Sequence, residues 1–154
     1  MLTLRRASAG AILIFAQMMT GTGNAQNKFI SPEGLNKPAS YSHVVVAGNT
    51  IYISGQVAAN EKGEVVGKGD LRAQVTKVYE NLALCLKSVG ASFDDIVKMN
   101  TYVVNYKPED VGVIREVRKN YLSKENPPAS TLVGVQALAG PDWMIEIEAV
   151  VVKK

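Results

Sequence analysis

The 154-residue chain predicts an α/β (α+β) domain, a five- or six-stranded mixed sheet with two helices on one face. Three observations carry this expectation. Apolar residues recur at helical spacing in two stretches, one behind Asp70 and one behind Pro108. Runs rich in β-branched residues flank and separate those stretches, bounded by glycine, proline, asparagine or aspartate. The resulting order, ββ–α–β–α–ββ, supplies two helices, which cover only one face of such a sheet. The uncovered face therefore predicts self-association, without choosing the number of subunits.

The first 25 residues read as a signal peptide. Arg5 and Arg6 form a positive start, residues 9–19 (AGAILIFAQMM) an apolar run, and Gly23-Asn24-Ala25 a small-x-small cleavage pattern. Gln26 becomes the new N-terminus, and residues 26–154 a single domain. The apolar run is shorter than the about 20 residues a membrane span needs, so no membrane association is expected after cleavage. A core helix or a membrane anchor is the competing reading. Export predicts a periplasmic location.

Along the mature chain, Ser31-Pro32-Glu33-Gly34 and Lys37-Pro38 are turn-like, so residues 26–40 predict an extended arm with a loop. Residues 43–47 (HVVVA) and 50–54 (TIYIS) are β-rich runs joined by Gly48-Asn49, a two-residue hairpin signal. Residues 57–69 read as a glycine- and charge-rich loop. Asp70 is a plausible N-cap. Behind it Leu71, Val75, Val78, Leu82, Cys85 and Val89 form one stripe along a helix of about five turns, closed by Gly90. Residues 96–104 predict a central strand. Pro108 suits the first turn of a second helix running to about Tyr121, with Val111, Ile114, Val117 and Tyr121 inward. Asn126-Pro127-Pro128 breaks it, and residues 131–138 and 144–152 form two last strands.

Composition removes several function classes. Loss of Arg5 and Arg6 takes the formal charge from +3 to +1, and no basic stripe interleaved with aromatics remains for nucleic acid. Cys85 is the only cysteine, so no intrachain disulfide can form, and its place on the helical stripe makes it a core thiol. One cysteine and one histidine, His43, make no metal-ligand cluster. His43 is a general base by type, but a lone histidine at a strand start reads as surface or structural.

Tyr41-Ser42-His43, Ala47-Gly48-Asn49 and Ile53-Ser54-Gly55-Gln56 resemble the N-terminal hairpin of the RidA (YjgF, L-PSP) family. Glu80-Asn81-Leu82, Gly90 and Asp95-Ile96-Val97-Lys98 resemble its first helix and central strand. Pro128-Ala129 and Ile145-Glu146-Ile147-Glu148-Ala149 resemble its C-terminal signature. The resemblance spans nearly the whole mature chain. It implies a chorismate-mutase-like fold, a homotrimer with a central barrel, and a small-molecule cleft between each pair of subunits. It also implies that these clefts bind small carboxylic acids and that active members hydrolyse enamines and imines to keto acids and ammonia, with no metal or cofactor.

Carried over residue by residue, the resemblance places Tyr41, Ser54 and Gly55 beside the ligand and Glu146 at the attacking water. After Pro128-Ala129 the family has an arginine, where this chain has Ser130, and a later cysteine is replaced by Leu132. A guanidinium fork grips a carboxylate with two charge-assisted hydrogen bonds, whereas a serine hydroxyl offers one neutral donor. The exchange costs about 1.5–3 kcal/mol of grip, which counts against 2-imino acid deamination. Arg115 on the second helix stands where the family has an asparagine, and is either a substitute grip or an exposed helix arginine. Trp143 reads as a loop anchor or a stacking wall for ligand. Glu146 and Glu148 share a strand face; Glu148 reads as solvated or as a partner for a nearby lysine.

Two functions of different class remain. One is a cofactor-independent enamine or imine hydrolase; the other is a non-catalytic metabolite-binding or interaction protein. Ribonuclease activity ranks last, because the mature charge is near zero and no His-Lys-His type constellation is present.

Overall fold

The computed structural model describes residues 26–153, so the expected signal peptide lies outside the described residues. The elements are β1 (Lys28–Ile30), β2 (Val44–Ala47), β3 (Thr50–Val57), α1 (Leu71–Ser88), a short 3-10 turn (Phe93–Asp95), β4 (Ile96–Val104), α2 (Asp110–Arg118), β5 (Ala129–Val135) and β6 (Ile145–Val152). The strands form one six-stranded sheet in the order β1-β2-β3-β6-β4-β5.

The local signals act as their chemistry requires. Gly48 takes a φ of 63° in the turn that sets Ala47 opposite Thr50, a conformation glycine adopts without steric cost. The Asp70 side chain accepts a hydrogen bond from the Ala73 amide at 3.0 Å and so caps α1. At the other end Gly90, with φ 63°, donates to the Lys87 carbonyl while Ala91 donates to Leu86. That pair of bonds is a Schellman motif, which satisfies carbonyls the helix leaves free. Val75, Val78, Leu82 and Cys85 of the stripe are buried, and they meet Ile51, Ile53, Ile145, Ile147 and Val151 of the sheet. Burial pushes the Cys85 thiol up to about 12, so it is an inert core group.

Several boundaries differ from the expected ones. The arm contributes a strand, β1, because Lys28, Phe29 and Ile30 pair antiparallel with Val46, Val45 and Val44. β3 continues to Val57, past the expected strand end at Ser54. α2 starts at Asp110, after Pro108, and ends at Arg118, with Asn120 and Tyr121 in a closing turn. β5 begins at Ala129 and stops at Val135, three residues before the expected end. It is an edge strand, paired in parallel with β4 alone. β6 sits between β3 and β4, antiparallel to both.

The position of β6 decides what faces where. Ile145, Ile147, Ala149 and Val151 are buried, with α1 packed over β6 and β3. Glu146 and Glu148 consequently project from the opposite face. Among the described residues no helix covers that face, and Tyr52 and Val133 stand exposed there.

Candidate functional site

A break in the pairing of β3 with β6 builds the first half of the site. The register shifts between Ile53 and Gln56, so Ser54 and Gly55 fall in a bulge beside Glu146. A Cβ on Gly55 would lie 2.6 Å from Glu146 Cδ, so only glycine lets the carboxylate rest on this backbone. Ser54 Oγ donates to the Ser42 carbonyl at 2.7 Å, tying the arm to the bulge. Buried His43 does the same: its Nε2 donates to the Asn36 carbonyl (2.8 Å) and its Nδ1 accepts from Gln56 Nε2 (3.2 Å). Both ring nitrogens are committed, so His43 is structural. Its ring meets Tyr41 edge-on at 5.6 Å.

Gln74 of α1 positions the opposite wall. Its Oε1 accepts from the Met144 amide at 2.8 Å, and its Nε2 donates to the Asp142 carbonyl at 2.8 Å. The loop so held carries Trp143, whose ring rests on Gly140, and the buried indole N–H has no partner among the described residues. Tyr41, Ser54, Gly55, Trp143 and Glu146 together line a depression of about 310 Å³.

The electrostatics of this depression follow from burial and like charge. Burial, then the charge of Glu148, raises the Glu146 carboxyl above its ordinary value. Burial and the Glu146 charge raise Tyr41, partly offset by a hydrogen bond with the Asn36 side chain. Among the described residues no cation pairs with Glu146. Glu148 accepts from Asn100 Nδ2 (2.6 Å) and Tyr102 Oη (3.0 Å), so its partners are an amide and a phenol, neither bare solvent nor a lysine. Lys98 instead donates to Thr131 Oγ1 at 2.6 Å.

Ser130 and Arg115 belong elsewhere. They line a groove of about 400 Å³ between α2 and β5, with Tyr106, Leu132 and Arg118. Asn105 adopts a left-handed φ of 49° after β4, and the next residue, Tyr106, folds against Gly134, where an added Cβ would meet its Cβ at 2.8 Å. Arg118 Nη1 donates to Ser130 Oγ at 3.0 Å. The chain thus divides the expected site residues between two separate depressions. Sequence reading missed Arg118 as a site residue, although its spacing of three from Arg115 puts both on neighbouring positions of one helix surface.

The profile of the family described as Endoribonuclease L-PSP matches residues 34–153, which include every element from β2 onward. The chain belongs to the endoribonuclease L-PSP (RidA) family. A 2-iminobutanoate/2-iminopropanoate deaminase of Dermatophagoides farinae is 33% identical over 112 residues, 73% of this chain and 84% of the mite protein. A 3-aminoacrylate deaminase, RutC, of Acinetobacter baylyi is 33% identical over 124 residues, 80% of this chain and 95% of that protein. The crystal structure of a Rid-family protein of unknown function from Yersinia pestis, YyfB, superposes with a TM-score of 0.66 at 39% identity, covering 82% of this chain and 98% of the other. The mixed sheet with two helices is therefore the RidA architecture, and both depressions fall inside the matched region.

Proposed function

We propose that this RidA-family chain is exported to the periplasm and forms a homotrimer whose intersubunit clefts bind a small molecule. In each cleft the Glu146 depression of one subunit faces the Ser130 groove of its neighbour. Two features support the assembly: the site residues are split between two depressions of one chain, and among the described residues one sheet face has no helical cover.

The chemistry proposed for the cleft is hydrolysis of a C=N bond without metal or cofactor. Water adds to the imine carbon, its proton passing to the Glu146 carboxylate. Glu146 hands that proton to nitrogen, giving a carbinolamine; it then carries the carbinolamine hydroxyl proton to nitrogen as the C–N bond breaks, so that a carbonyl compound and ammonia leave. Tyr41 and Ser54 orient the substrate and Trp143 walls the site. The single observation that carries this is Glu146 itself, a half-buried carboxylate without a cation partner whose raised pKa suits proton transfer. The deaminases among the relatives act on imino and aminoacrylate substrates by name, which supports the same reaction class. On this reading Ser130 stands in place of an arginine, and its one hydroxyl is too weak a grip on a carboxylate to act alone. That weakness supports the second reading, a binding protein without turnover.

Ammonia release from 2-iminobutanoate, generated in place from threonine by a dehydratase, separates the two. Release well above a protein-free blank, and lost in Glu146→Gln, is the expected result. Release equal to the blank overturns hydrolysis of 2-imino acids and moves the binding protein ahead.

A further inference from the structure

We infer that Arg118, aligned by Ser130 and assisted by Arg115, supplies from α2 the carboxylate grip that the resemblance assigns to an arginine at position 130. This deepens the proposed function and rests on its cleft. Arg118 is half-buried in the last turn of α2 and reaches across the groove to β5, where its Nη1 meets Ser130 Oγ at 3.0 Å. The hydroxyl accepts one of the five guanidinium N–H donors and fixes the plane of the fork. The remaining donors stay available to a ligand in the groove.

The surrounding charges point the same way. Glu116, between the two arginines in sequence, is turned outward to Arg72 of α1. Among the described residues neither Arg115 nor Arg118 forms an ion pair. Two cations line one groove with no counter-charge, and its other walls are Tyr106, Leu132 and Tyr79. A guanidinium partly shielded from water in this way favours a carboxylate, which takes two parallel charge-assisted bonds. The helix C-terminus explains why a cation is tolerated at Arg118. It does not explain why that cation spans the groove to a serine. A short side chain at Ser130 leaves the guanidinium room to lie there, so the grip comes from the helix and not from the strand.

The test is calorimetric titration of the purified protein with 2-oxobutanoate and with its uncharged amide. The wild-type protein is expected to bind the acid at least about tenfold more tightly than the amide. In Arg118→Gln the acid should weaken roughly ten- to a hundredfold while the amide is unchanged. Arg118→Lys, which keeps the charge and the aliphatic stem but loses the fork, should fall several-fold short of wild type. Equal binding of acid and amide by the wild-type protein overturns the inference, as does wild-type acid affinity in either variant. Binding needs no turnover. A protein that grips the acid through Arg118 yet releases no ammonia refutes the hydrolase alone, and ammonia release indifferent to Arg118→Gln refutes this inference alone.

Discussion

The Glu146 carboxylate rests on the backbone of Gly55, with a Cβ at that glycine falling 2.6 Å from Glu146 Cδ and 2.8 Å from Cγ. The β3 bulge and the catalytic candidate are thus one packing unit. Gly55→Ala should swing the carboxylate out of the depression. Because the clashing atoms belong to a flexible side chain that can turn away, stability should change by less than about 1 kcal/mol, while ammonia release falls at least as far as in Glu146→Gln. Denaturant melts and the ammonia assay, run on both variants, check this.

The pH dependence of Glu146 has a definite sign. Burial and Glu148 raise its folded pKa, so the native state binds a proton more tightly than the unfolded chain does. Its ionisation therefore costs stability at neutral pH, and that cost disappears as pH falls through the raised value to below the ordinary one. Glu146→Gln should be the more stable protein at neutral pH, with the advantage shrinking across that window. Chemical denaturation at a series of pH values measures it.

Glu148→Gln separates the two causes. The glutamine oxygen can still accept from Asn100 and Tyr102, so the local bonds survive while the negative charge goes. The Glu146 pKa should drop but stay above its ordinary value, since burial is the larger cause. Carbon-detected NMR titration of the Glu146 carboxyl reads this, and the acid limb of ammonia release should shift downward with it.

Gln74→Leu should loosen the wall that carries Trp143. The variant leaves the Met144 amide and the Asp142 carbonyl without the Gln74 partner. Each buried group so orphaned costs about 1–3 kcal/mol. Tryptophan fluorescence, which reports Trp143 alone, should shift toward the solvent-exposed emission and lose its response to ligand.

Cleavage after Ala25 predicts a mature N-terminus at Gln26. N-terminal sequencing of protein recovered from the envelope fraction checks it; an intact Met1 would remove the export proposal.

Legibility tracked how local each cause was. The span of β4, the cap at Asp70 and the buried stripe of α1 were readable because each depends on residues within a few turns. β1 was not, since Lys28–Ile30 becomes a strand only by pairing with β2, and its own run is three residues long. The end of β5 was misjudged for a similar reason: its pairing stops with Val104 opposite Val135, and Asn105 then donates to the Val135 carbonyl. The structural role of His43 was foreseen in kind, while its partners Asn36 and Gln56 come from elements the chain had to fold to bring together.

By itself the sequence determined the fold class, the two helices, the alternation that sends Glu146 and Glu148 to one face, and the motifs that mark a RidA-family chain. Tertiary structure decided which residues share a depression. It seated Glu146 on Gly55, set Tyr41 and Trp143 beside it, and left Ser130 and Arg115 in a separate groove with Arg118. The physical reason is strand order: β6 lies between β3 and β4, whereas β5 lies at the edge, and periodicity along a chain carries no information about which strands become neighbours.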